Sequence, residues 1–178
     1  MTNELAWKFP VSVAELPEEG RDFDLAPDAL EREALALHTG VNAVPKLNAS
    51  LHVEPDGRGG ANVDGTLRAT VTQTCVVTLD EFDNEIDEAI SIQFAPPETI
   101  AGDADGLVEI DESDPPDPLV NGEIDLAAVV GEFLALAIDP YPRKPGAVFQ
   151  SPNEPSDSKG SPFAALEQLK DRPSGKKR

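Results

Sequence analysis

Cysteine is almost missing from this chain: Cys75 is the only one in 178 residues. That excludes a disulfide framework within the chain and any zinc site built from several thiolates. Histidine is nearly as scarce. His38 and His52 stand without a third nitrogen or thiol ligand nearby in sequence, so no metal site is expected from them. Aromatic residues make up 5%, which leaves Val, Leu, Ile and Ala to build the core. Positive charge is short too: 14 Lys and Arg stand against 34 Asp and Glu, a formal net charge of −20. Such an anion is repelled at long range by nucleic-acid phosphates and attracted to basic proteins, so contact with RNA needs a local basic patch. No basic segment followed by an apolar run opens the sequence, and no stretch approaches the roughly 18–20 apolar residues that cross a bilayer. The expectation is a soluble, cytoplasmic, bacterial-type protein with no membrane partner.

What is plentiful is punctuation. Seventeen prolines and thirteen glycines exclude a long helical bundle or coiled coil. Trp7, Phe9, Val11 and Val13 alternate with other residues as a strand does, and Pro10 assigns that strand to an edge or a bulge. Glu18-Glu19-Gly20 breaks it. A helix follows with Pro27 at or near its first position, a stripe of Leu30, Ala34 and Leu37, and Gly40 as its left-handed end.

The middle of the chain is β-structure. Leu47, Ala49, Leu51 and Val53 alternate with polar residues, as do Val63, Gly65, Leu67, Ala69 and Val71. The glycine-rich loop between them predicts an antiparallel hairpin with one wet face. Gly65 marks a bulge or a close backbone approach. The second strand is expected to run on to Leu79 with Cys75 and Val77 on its apolar side. Asp80–Asn84 reads as a turn and Ile86–Phe94 as a further strand ended by Ala95-Pro96-Pro97. Leu107–Ile110 is a short candidate strand, and residues 111–118 are an acidic, proline-rich loop.

Leu126, Val129, Val130, Phe133, Leu134 and Ala137 then form one apolar stripe of an amphipathic helix, with Asp125 placed to cap it and Pro140 and Pro142 to stop it. Pro140, Pro142, Pro145 and Gly146 hold Tyr141, Arg143 and Lys144 on a stiff, extended path. A segment of that kind loses little entropy on docking. Residues 151–162 have linker composition. Ser161–Lys170 reads as a short amphipathic helix, and Lys176-Lys177-Arg178 as a basic tip.

The string Val71–Leu79, the Asp125-Leu126 helix start and Asp139-Pro140-Tyr141-Pro142-Arg143-Lys144-Pro145-Gly146 together resemble the YceD family, whose members are called large ribosomal RNA subunit accumulation proteins. The Ser161–Leu166 segment resembles the end of family members, and the resemblance covers residues 5 to 170. Many members carry Cys-x-x-Cys at the end of the middle strand, whereas here Thr78 fills the second place. The chain in this respect resembles the alphaproteobacterial branch. A single thiol does not hold metal or cycle redox state as a pair does. The resemblance implies a part in accumulation of the large-subunit (23S) ribosomal RNA and supplies no catalytic residues.

The expected architecture is α+β: a curved antiparallel sheet of about five to six strands, one long C-terminal helix and one or two short helices packed on it. Residues 1–149 would form this domain and 150–178 a flexible linker with the short helix. Tyr141, Arg143 and Lys144 are the candidate contacts for ribosomal RNA or a basic ribosomal or assembly protein. The alternative for the two cations is pairing with the chain's own carboxylates. Gly65, Cys75, Pro140, Pro142, Pro145 and Gly146 have structural roles, with Cys75 expected as a small core residue rather than a reactive thiol. The carboxylates of residues 80–88 and 103–125 match no calcium loop. They read as a solvated face or as a docking surface for a basic protein. The favoured function is a non-enzymatic ribosome-biogenesis factor without cofactor. An acidic chaperone for a basic partner and a metal-dependent hydrolase or nuclease are the alternatives.

Overall fold

A computed structural model describes residues 7–101 and 115–149, the side chains of Ile100 and Ala101 excepted. The chain divides into two units, Met1–Ala147 and Val148–Arg178, and the first carries every element named here. The expected strand at Leu107–Ile110 and the expected helix at Ser161–Lys170 lie outside the described residues.

Three long strands dominate the first unit. β3 (Ala43–Pro55) and β4 (Ala61–Thr74) pair antiparallel, from Pro55 opposite Ala61 to Ala43 opposite Thr72. The alternation in sequence is the alternation in burial: Leu47, Ala49, Leu51, Val53, Val63, Leu67 and Val71 are buried, and their neighbours face water. Register slips between Ala43 and Lys46 and not at Gly65. Gly65 is instead a close approach: a methyl group there would run into Ser50 O and lie 2.8 Å from Leu51 Cδ2. β5 (Glu81–Ala95) pairs antiparallel with β4 from Glu81 to Phe94. The sheet order is β2-β3-β4-β5-β6, where β2 is Arg21–Leu25 and β6 is Asp117–Pro118. β6 alone runs parallel to its neighbour. A separate two-stranded ribbon joins β1 (Pro10–Ser12) to β7 (Glu123–Asp125).

Among the described residues three α-helices complete an α+β fold. α1 (Ala29–Thr39) lies against β3, α3 (Leu126–Ala137) lies against β4 and β5, and α2 (Pro97–Ala101) is a short turn of helix after β5. Of the stripe its sequence predicts, α3 buries Leu126, Val129, Val130 and Leu134 and half-buries Phe133 and Ala137, and Asp125 caps it through Ala127 N–H. No helix among the described residues is long and apolar enough to cross a membrane.

Several sequence expectations change. The first strand is confined to Pro10–Ser12, although Trp7 ahead of it is buried at 4% exposure. α1 does not begin at Pro27. Asp28 is its N-cap, bound to Leu30 and Glu31 N–H at 2.8 and 2.9 Å, and Glu31 closes a reciprocal capping box on Asp28 N–H at 2.7 Å. Nor is Leu30–Leu37 its inner stripe: both leucines are exposed, and Leu35 and Ala36 are buried in their place. Gly40 does end the helix in the left-handed conformation, at φ 74°.

Candidate functional site

β4 does not continue to Leu79. It ends at Thr74, and residues 75–80 form a turn that hands the chain to β5. Cys75 N–H donates to Asp80 O at 2.8 Å and Leu79 N–H to Cys75 O at 2.9 Å, so the loop closes on itself. Leu79 adopts φ 63° to do so. The turn expected at Asp80–Asn84 is thus displaced towards the N-terminus, and Glu81 is already in the strand. Val77 is half-buried, while Val76 and Leu79 project to solvent.

The segment after α3 lies across this turn as a strap. Val76 N–H donates to Pro142 O at 2.9 Å, and Lys144 N–H donates to Cys75 Sγ at 3.3 Å. Thr78 N–H reaches the same sulfur at 3.5 Å. Cys75 is fully buried, as a core cysteine would be, but its sulfur also joins two segments distant in sequence. The Thr78 side chain holds the thiol well below its ordinary 9.0, at about 7, with the amides of Lys144, Thr78 and Val77 adding to it against the opposing push of burial.

Upstream, the strap is anchored by a side chain that sequence reasoning misses. Gln73 sits in the apolar phase of β4, and among the described residues it is the only buried polar side chain. Its amide donates to Asp139 O at 3.0 Å and accepts from Asn84 Nδ2 at 3.4 Å. Asp139 in turn accepts Tyr141 N–H at 2.8 Å. At the far end Ala147 N–H donates to Lys144 O at 3.0 Å, and Gly146 has φ 80°. Lys144-Pro145-Gly146-Ala147 is therefore a tight turn with proline fixing its second residue and glycine taking the left-handed third. A signal for Gln73 is present in the sequence: an amide where every second residue is apolar.

This backbone holds three side chains out to solvent. Tyr141 is 72% exposed. Arg143 is exposed and makes no hydrogen bond or ion pair with the described residues. Lys144 is exposed and lies 3.4 Å from Asp80 Oδ2, an ion pair open to water and worth at most about 1 kcal/mol. Pairing with an internal carboxylate thus describes Lys144 and not Arg143. Beside the strap runs a groove of about 420 Å³, lined among others by Thr39, Val41, Gln73, Val76, Ile138 and Pro142. Leu79 and Leu136 are further exposed apolar side chains on the turn and on the last part of α3.

Cys75, Pro142 and Lys144 therefore meet, with Pro140, Tyr141, Arg143, Pro145 and Gly146 on the same strap. Gly65 lies ten residues back along β4, roughly 30 Å away, and belongs to the sheet. Among the described residues no group of three or more His, Cys, Asp or Glu is placed to hold a metal ion.

The family model described as "Large ribosomal RNA subunit accumulation protein YceD" matches residues 63–170, more than half of the chain. The match takes in β4 from Val63 onward, the turn, β5, α3 and the strap. No curated protein matches the chain, and no solved structure does.

Proposed function

The chain belongs to the YceD family of large ribosomal RNA subunit accumulation proteins, and we propose that it is a non-enzymatic ribosome-biogenesis factor that supports accumulation of 23S ribosomal RNA. The strap is its contact with the assembling subunit. The observation that supports this reading is the strap itself. Its backbone is tied to Cys75, Val76 and Gln73, while Tyr141 and Arg143 are left exposed and without a hydrogen-bonding or ionic side-chain partner among the described residues. A guanidinium and an aromatic ring held on stiff backbone suit a phosphate and an unstacked base, the groups a folded ribosomal RNA offers at loops and bulges. The surrounding negative charge opposes unspecific RNA binding and leaves a short-range, shape-dependent contact.

The test is complementation of a deletion strain, read by sucrose-gradient profiles and 23S rRNA level. Deletion should lower both, and the wild-type gene should restore them. Arg143→Glu with Lys144→Glu should restore neither, although the protein keeps its fold. Among the described residues these two side chains make only the exposed pair with Asp80, so the fold does not depend on them. Normal subunits in the deletion strain would remove the ribosomal reading. Full rescue by the double variant would remove the strap from the contact.

A further inference from the structure

We propose that the free edge of β5 takes up an extended, lysine- and arginine-rich segment of a protein partner by β-strand addition. β5 is bonded to β4 along one side from Glu81 to Phe94. On its other side, among the described residues, only Phe94 and Ala95 are paired, with Asp117 and Pro118, and Leu119 N–H donates to Ala95 O. No strand or loop backbone of the described residues is bonded to the outer edge from Glu81 to Gln93. That length is about 40 Å of strand, with every second residue turning its N–H and C=O outward. Such an edge is a template for one more strand.

Charge selects the occupant. β5 carries Glu81, Asp83, Glu85, Asp87 and Glu88 and no lysine or arginine. The first four share the solvent face, roughly 7 Å apart along it. Glu81 accepts from Asn42, Asp83 from Thr72 and Asp87 from Arg68, so Arg68 is the one cation these hydrogen bonds bring to the row. Glu88 stands opposite Leu67 on the other face and is nevertheless exposed. A charged edge guards against pairing with copies of itself, and this one is guarded by a single sign. A second copy would bring the same carboxylates alongside, and a nucleic acid would bring phosphates. The chain's own residues 102–114 carry Asp103, Asp105, Glu109, Asp111, Glu112 and Asp114 and no cation, so they do not complement the row either. An extended basic segment does. Its main chain satisfies the open edge, and its alternate Lys or Arg side chains stand across from the carboxylates. This inference goes beyond the ribosomal reading and uses none of the strap residues.

The test uses the full chain and a fluorescent octapeptide of alternating lysine and valine. Controls are the same peptide N-methylated at alternate backbone nitrogens, a glutamate–valine peptide and a single-stranded RNA oligonucleotide. The lysine–valine peptide should bind and slow hydrogen exchange at β5 amides. Its Kd should rise by about tenfold or more on N-methylation, and similarly in Glu85→Lys with Glu88→Lys. Glu85→Gln with Glu88→Gln, which adds no new charge, should give a smaller rise in the same direction. Full binding of the N-methylated peptide, protection that appears elsewhere, unchanged Kd in both double variants, displacement by the RNA, or a dimer present without peptide would each overturn the proposal.

Discussion

The sulfur of Cys75 accepts the backbone N–H of Lys144 at 3.3 Å, across 69 residues of sequence. Together with Val76 N–H donating to Pro142 O, it fastens the strap to the end of β4. The exposed cations are therefore displayed by a backbone that is anchored from beneath, and the anchor is a thiol with no second thiol beside it.

Replacing that sulfur should loosen the strap. Cys75→Ala leaves the N–H groups of Thr78 and Lys144 without their acceptor and opens a small void at a fully buried position. Both effects lower stability, and the expected fall in Tm is about 2–8 °C. Hydrogen exchange at Lys144 should accelerate more than exchange in β3. A variant that unfolds at the wild-type temperature with an unaltered Lys144 amide would show that the sulfur holds nothing.

The same thiol makes stability depend on pH. Its value falls from 9.0 to about 7 in the folded chain. Between those limits the unfolded chain holds the extra proton, so stability rises with pH from about 7 to about 9 and is lost as pH falls through about 7. His52 works in the opposite sense. Its hydrogen bond to Asp22, at 2.7 Å, is the main cause raising it above 6.5, so its contribution is complete below that value and declines as pH rises through the raised one. Denaturant midpoints of wild type and Cys75→Ala, compared across this range, should diverge towards alkaline pH. A gap of constant size would contradict the lowered thiol.

Much of this arrangement is legible in the sequence because it is local. The alternation of β3 and β4 follows from one face being covered, and the α3 stripe from a period of 3.6 residues. What misleads is decided by distant partners. The stripe of Leu30, Ala34 and Leu37 is plain in the sequence of α1, but packing against β3 buries Leu35 and Ala36 and leaves Leu30 and Leu37 exposed. β2 offers only Phe23 and Leu25 as apolar positions, beside Asp22 and Asp24, and it is pairing with β3 that makes it a strand and buries Leu25. β6 and β7 are two and three residues long, too short for any periodicity. The turn after Thr74 reads as strand because Val76 and Val77 favour strands. What stops the ladder is the Cys75–Asp80 closure beneath the strap. The proline-rich string is plain in the sequence, but the seat it rests on is not.

Leu79 offers a separate test of that turn. A leucine at φ 63° has its Cβ close to the following carbonyl, at a cost of about 1 kcal/mol or more that glycine does not bear. Glycine has more freedom to lose on folding, by roughly 0.5–1 kcal/mol. Leu79→Gly should therefore leave stability unchanged or raise it by up to about 1 kcal/mol, whereas β-branched Leu79→Val should lower it by about 1 kcal/mol. Since the side chain is 76% exposed, little packing is removed in either case. Urea unfolding of the two variants decides: a glycine variant less stable than the valine one would mean that the conformation of the turn is not what governs this position.

Asp125 couples the start of α3 to the chain's first strand. Its Oδ1 accepts both Phe9 N–H at 2.8 Å and Ala127 N–H at 3.1 Å, and Lys8 Nζ lies 3.9 Å from Oδ2. Asp125→Ala removes a helix cap and strands a second amide, a loss of about 2 kcal/mol. Asp125→Asn keeps an acceptor oxygen in place and gives up only the long ion pair with Lys8, so about 0.5 kcal/mol is expected. Urea unfolding should rank the variants wild type, Asn, Ala, and only Ala should speed exchange at the Phe9 amide. Equal losses in the two variants would mean that the negative charge, and not the shared acceptor, ties β1 to the head of the helix.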